Sequence, residues 1–130
     1  MGQWSVDIVS EPGVLRLRMA GRMTPVELAA FVEAHNRAID SVAGRDYKVW
    51  CDLSALEPLD AESAMIFEQA KRYSQSRPNF RGSSVLISSN AVGLQHRVTS
   101  IRSGVMSTEM ISSDEEALRE HLRTVYRAPR

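Results

Sequence analysis

The chain has 130 residues, 43% hydrophobic and 25% charged, which suits one globular domain with a core of its own. Sixteen basic residues balance sixteen acidic ones, so no global field draws the chain to nucleic acid or an anionic membrane, while weak mutual repulsion leaves room for a homodimer. The single cysteine, Cys51, excludes an internal disulfide; with no leader-like start and no run near the roughly 20 apolar residues of a membrane span, it points to a cytoplasmic place.

Trp4, Val6 and Ile8 alternate with polar residues, as a half-buried strand does. Glu11-Pro12-Gly13 is turn chemistry. Val14, Leu15, Leu17 and Met19 follow, with Arg16 and Arg18 on the opposite face, so a hairpin with one wet face opens the chain. Thr24-Pro25-Val26-Glu27 carries a capping box and a proline at the first helical position. Leu28, Phe31, Val32, His35, Ile39 and Val42 then fall on one helical face, and Gly44 suits the C-terminal cap.

Tyr47 to Cys51 reads as a short buried strand, followed by Asp52-Leu53-Ser54 and a connector over residues 55–59. Asp60 is placed to cap a helix from Ala61 to Tyr73 or a little beyond, which Arg77-Pro78-Asn79 ends. Ser84 to Ile87 is another buried strand, and Ser88, Ser89 and Asn90 form the loop after it, with Asn90 as the cap of a third helix. That helix is expected to turn Leu94, Val98 and Ile101 inward and Gln95, Arg97 and Arg102 outward. Val105, Met106, Met110 and Ile111 mark a weaker strand, and Ser112 or Ser113 with Glu115 or Glu116 signals a final helix through Leu118, Leu122 and Val125. Residues 127–130 form a tail expected to fray.

Strands alternating with helices imply parallel pairing, and the opening hairpin adds an antiparallel edge, so an α/β domain with a mixed sheet is expected. Docking sites in such sheets lie at the carboxyl ends of the parallel strands. Two loops qualify here, residues 52–63 and 88–90. Asp52, Ser54, Asp60, Glu62 and Ser63, with Ser89 and Asn90 alongside, are therefore the candidate site residues.

The element order β-β-α-β-α-β-α-β-α resembles the STAS family, the sulphate-transporter and anti-sigma-factor-antagonist domains. The resemblance is closest where an apolar strand, Lys48 to Cys51, runs into Asp52-Leu53-Ser54 and then Asp60-Ala61-Glu62-Ser63. It implies one STAS-like domain over residues 1–126, a sandwich with helices mainly on one face. It also implies a bacterial, non-catalytic regulatory module whose partner is a kinase-like anti-sigma factor or another signalling component. Phosphorylated members carry an acceptor serine directly after the second aspartate, where this chain has Ala61. Glu62 places a fixed negative charge one residue on, and Ser63 stands where the family has glycine. Ser63, and then Ser54, are the remaining phosphate acceptors near the turn, although each also reads as a hydroxyl bonded to nearby backbone. The resemblance admits two other readings, a small-ligand or lipid sensor and a purely structural homodimer.

Other side chains favour plain roles. His35, His96 and His121 lie on three different expected helices without ligand spacing, so no metal and no cofactor is expected. His96 with Cys51 or a loop serine would make a nucleophile–base pair, but no nucleophile elbow supports it. Cys51 and the methionines Met19, Met23, Met65, Met106 and Met110 read as core filler. Arg72, Arg77, Arg81, Arg97 and Arg102 read as a solvated face rather than a nucleic-acid surface.

Overall fold

The structure, a computed structural model, describes residues 2–9 and 13–125. The expected turn at Glu11-Pro12 and the expected fraying of residues 127–130 lie outside the described residues. In chain order the elements are β1 (Gln3–Val9), β2 (Val14–Gly21), α1 (Pro25–Asp40), β3 (Tyr47–Leu56), α2 (Ala61–Ser76), β4 (Phe80–Leu86), α3 (Asn90–Ser103), a 3-10 turn (Met106–Thr108), β5 (Glu109–Ser112) and α4 (Glu115–Thr124).

The strands form one sheet in the order β1-β2-β3-β4-β5. β1 pairs antiparallel with β2, and every other neighbour is parallel. This is the mixed sheet expected of a hairpin followed by β-α-β crossovers.

The pleat of β3 sorts its side chains between two faces. Val49, Cys51 and Leu53 join Leu15, Leu17, Met19 and Val85 in the main core, against Leu28, Phe31 and Ile39 of α1, Phe67 and Ala70 of α2 and Val92 of α3. Trp4 closes the edge of that core with its ring 5.9 Å from Phe31, edge to face. Lys48 and Trp50 turn to the opposite face, where α4 packs. Lys48 Nζ donates to the Leu122 carbonyl at 2.6 Å, and Ser84 Oγ donates to the Leu118 carbonyl at 2.8 Å. The Arg119 guanidinium sits 5.1 Å from the Trp50 ring centroid. Three helices thus cover one face and α4 part of the other. Gly82 lets α4 close on the sheet: a Cβ there would lie 2.7 Å from Val125 Cγ2 and 2.8 Å from the Thr108 carbonyl, at a φ of +153°.

α1 begins as expected, with Glu27 and Thr24 bonding reciprocally in a capping box. Its predicted inward residues, Leu28, Phe31, Val32, His35, Ile39 and Val42, are all buried. Several boundaries differ from expectation. α1 is capped by Ser41, and Gly44, at φ +87°, belongs to the turn beyond. β3 runs on to Leu56, so Asp52-Leu53-Ser54 is strand, because Leu53 and Leu56 both find places in the core. β4 begins at Phe80, buried against Tyr47. α3 is capped by Ser89, whose hydroxyl accepts from the Val92 N–H, and Asn90 is its first residue. Val105 and Met106 precede β5 rather than lying in it. α4 is capped by Asp114, which accepts from the Ala117 N–H, while Ser112 accepts from the Asp114 N–H one turn earlier. Met19 and Met23 are core, but Met65 and Met106 are exposed. Arg81 is no part of a solvated face; it is buried, with its guanidinium 2.8 Å from Asp46.

Candidate functional site

The loop after β3 and the start of α2 are built on short-range bonds. Asp52 is half-buried, and its Oδ1 accepts from the Ser54 N–H at 2.9 Å and the Ser54 hydroxyl at 2.6 Å. Glu57 to Asp60 is the turn proper. Asp60 is exposed and caps α2, its Oδ1 accepting from the Ser63 N–H at 2.7 Å. Ala61 and Glu62 open α2 on the surface. Ser63 faces inward and is wholly buried, and its hydroxyl has no hydrogen-bond partner among the described residues. The folded chain therefore does not present the Ser63 hydroxyl to a kinase. Ser54 remains half exposed, but a phosphate there would meet the Asp52 carboxylate.

The two loops that the sequence singles out are joined to each other. Ser88 Oγ donates to the Ser54 carbonyl. Gln95 of α3 clasps Leu59 in the turn: the Leu59 N–H donates to Gln95 Oε1 at 2.8 Å, and Gln95 Nε2 donates to the Leu59 carbonyl at 2.6 Å. A surface hollow of about 280 Å³ lies beside this turn, lined by Arg22, Met23, Glu57, Pro58, Leu59 and Asp60. Ser89 and Asn90 sit at the same end of the sheet, at the start of α3.

α3 reverses its expected orientation. Leu94, Val98 and Ile101 are 67%, 53% and 57% exposed. Their spacing of four and three residues puts them in one stripe. The inward face is instead Val92, Gly93, His96, Thr99, Ser100 and Ser103. α2 and α3 run side by side in the same direction: Phe67 meets His96 at 5.2 Å between ring centroids, Lys71 meets Ser100, and a Cβ on Gly104 would touch Gln75. The same register places Met65, 64% exposed, level with Leu94. The sequence contained a signal for this in the small residues Gly93, Ser100 and Ser103, which share the inward helical face.

Behind that surface lies a buried polar cluster that single-sequence reading missed. Lys71 Nζ of α2 donates to Glu109 Oε2 of β5 at 2.7 Å and to Ser100 Oγ of α3 at 2.7 Å. Ser83 of β4 donates to Glu109 Oε2 at 3.0 Å, and Ser100 donates to Glu109 Oε1. Burial would raise the Glu109 carboxyl, but the charge and hydrogen bond of the Lys71 ammonium hold it well below the usual carboxylate range. Burial lowers Lys71, against the pull of Glu109. Burial brings His96 down to about 4, helped by Lys71 and opposed by Glu109. His35 is also lowered by burial to about 4, opposed by its bond to Asn36. Cys51 and His96 do line one small cavity, as a nucleophile and base would. Burial nevertheless pushes the Cys51 thiol up to about 12, so no thiolate forms at neutral pH.

Among the described residues no cluster of His, Cys, Asp and Glu could hold a metal, and no helix is long and apolar enough to cross a membrane. No family model matches the chain, and neither does any curated protein. Solved structures do match. An uncharacterised protein of the DUF3478 family with a SpoIIAA-like fold, from Shewanella loihica, superposes with a TM-score of 0.66 at 13% identity, over 94% of this chain and 95% of that one. An anti-sigma factor antagonist from Mycobacterium paratuberculosis gives a TM-score of 0.62 at 16% identity, over 93% of this chain and 95% of that one. The fold is that of a STAS-like, SpoIIAA-like domain.

Proposed function

We propose that the chain is a non-catalytic regulatory module that binds a protein partner through the Glu57–Ser63 turn and the outer face of α3. The observation that carries this reading is the exposed stripe of Leu94, Val98 and Ile101, with Met65 beside it, fixed to the turn by the Gln95–Leu59 clasp. An exposed contiguous apolar stripe on an otherwise well-packed domain marks an interaction surface. The likeness to an anti-sigma factor antagonist supports a partner of the same kind, a kinase-like anti-sigma factor or another signalling component.

Ala61 stands at the family's acceptor position, Ser63 is buried, and Ser54 is bonded to a carboxylate. Docking on this reading is therefore not switched off by phosphate in the turn, and Glu62 supplies a constant negative charge on the exposed first turn of α2. The cytoplasm, with its signalling kinases, is the proposed place of action.

Affinity capture from the native cell tests the reading, comparing the unaltered chain with Leu94→Ser/Val98→Ser and with Asp60→Ala/Glu62→Ala. Loss of the same partner from both variants is expected. Equal recovery by all three proteins would remove this face as the docking surface. Sedimentation over a range of concentrations distinguishes a second copy of the chain from a different partner. Mass spectrometry after incubation with candidate kinases checks the turn, with no phosphate expected on Ser54 or Ser63.

A further inference from the structure

The buried cluster surrounds a cavity of about 30 Å³ between the sheet and helices α2 and α3. Leu17, Val49, Phe67 and Val85 give it apolar walls, and Lys71, His96 and Glu109 give it a polar corner. Three observations at that corner bear on what fills it. His96 is 3% exposed, and its Nε2 has no hydrogen-bond partner among the described residues. That nitrogen lies 3.8 Å from Glu109 Oε2, too far for a direct hydrogen bond but within the span of one bridging water. The volume exceeds the roughly 10–15 Å³ that one water needs, whereas a lipid or cofactor would not fit without parting the helices.

We infer that the cavity is an internal hydration site in which a bound water bridges His96 Nε2 and Glu109 Oε2. The donor and acceptor inventory closes around it. Lys71 spends two N–H donors on Ser100 and Glu109 and has a third to give. Glu109 Oε2 accepts from Lys71 and Ser83, and the carboxylate retains capacity for one more donor. The water accepts from Lys71 and donates to Glu109 and to His96 Nε2. Three bonds is the usual complement of a buried water. His96 is then a neutral imidazole with its proton on Nδ1. The assignment also accounts for the orientation of α3. Its inward face is given to His96 and Ser100 because they complete a hydrated polar network, and this leaves the apolar residues on the outside. The inference does not depend on the docking reading, since it concerns the other side of the helix.

A crystal structure of the unaltered chain at atomic resolution is the direct test. A well-ordered water within about 3.2 Å of both His96 Nε2 and Glu109 Oε2 is expected. Xenon pressurisation of the same crystals gives a second reading, because dry apolar cavities take up xenon and hydrated polar ones do not. Absence of water density, or xenon bound in the cavity, overturns the inference. In solution, the ring nitrogen shifts of His96 are expected to report the Nδ1–H tautomer, and an Nε2–H tautomer also overturns it. His96→Leu, checked for folding by circular dichroism, is expected to lose the water; density persisting at the same place would show that His96 does not hold it.

Discussion

Asp60 holds the first turn of α2 through a single side-chain bond to the Ser63 N–H. Asp60→Ala leaves that N–H without its acceptor and removes a negative charge from the positive end of the helix. A loss of about 1 kcal/mol is expected in thermal or urea unfolding, with the fold retained. Lys71 and Glu109 stand in a different regime, because both charges are buried. Lys71→Met alone strands the Glu109 carboxylate and is expected to cost about 3–5 kcal/mol. Lys71→Met combined with Glu109→Leu removes both charges, and the double variant is expected to recover much of that loss. Urea melts of the two single variants and the double variant form the cycle that measures the coupling. A double variant as unstable as the sum of the singles would show that the two charges act independently.

α3 shows how far sequence patterning reaches at the scale of an element. The caps of α1 and α2 were legible because they are local: Thr24 with Glu27, and Asp60 with Ser63, lie three residues apart. The strand order was legible because strands alternating with helices leave few topologies. α3 was misread because apolar spacing says which residues share a face and not which way that face turns. Leu94, Val98 and Ile101 do share a face, and it is the outer one. What turns it outward is a pair of partners on other elements, Lys71 of α2 and Glu109 of β5, which no periodicity reveals. The candidate residues in the β3–α2 loop were chosen by their position in the fold, but the burial of Ser63 depends on packing that a single sequence does not display. The stripe itself is testable without a partner. Val98→Ser and Ile101→Ser are each expected to change stability by no more than about 0.5 kcal/mol, since both side chains are already mostly in water. Val92→Ser on the inner face is expected to destabilise several times more, because Val92 is 2% exposed within the core. If the outer substitutions unfold the chain as readily as the inner one, the stripe is part of the core.

For the whole molecule, the buried histidines govern how stability responds to acid. His35 faces Asn36 and the Phe31 ring, with no acidic partner among the described residues to hold its proton. His96 faces Lys71 from α2, Glu109 from β5 and the neutral Cys51 thiol from β3. Both are lowered to about 4 in the folded chain from an ordinary value of 6.5. The unfolded chain therefore takes up protons first as the pH falls. Well above pH 6.5 neither histidine is charged in either state, and stability is at its plateau with respect to them. Between pH 6.5 and 4 protons bind the unfolded chain and not the folded one, so stability declines across that window. The full shift corresponds to about 3 kcal/mol per histidine, reached only near the lower end. Glu109 acts in the same direction but later: its folded value is lowered, so its contribution is lost only as the pH falls below the ordinary carboxylate value of 4.5. Urea melts of the unaltered chain and of His35→Phe at pH 7, 5.5 and 4.5 read the first of these terms. A shallower decline is expected for His35→Phe, which fills much of the same space and cannot take a proton. Parallel curves for the two proteins would mean that His35 is not the group that charges on unfolding.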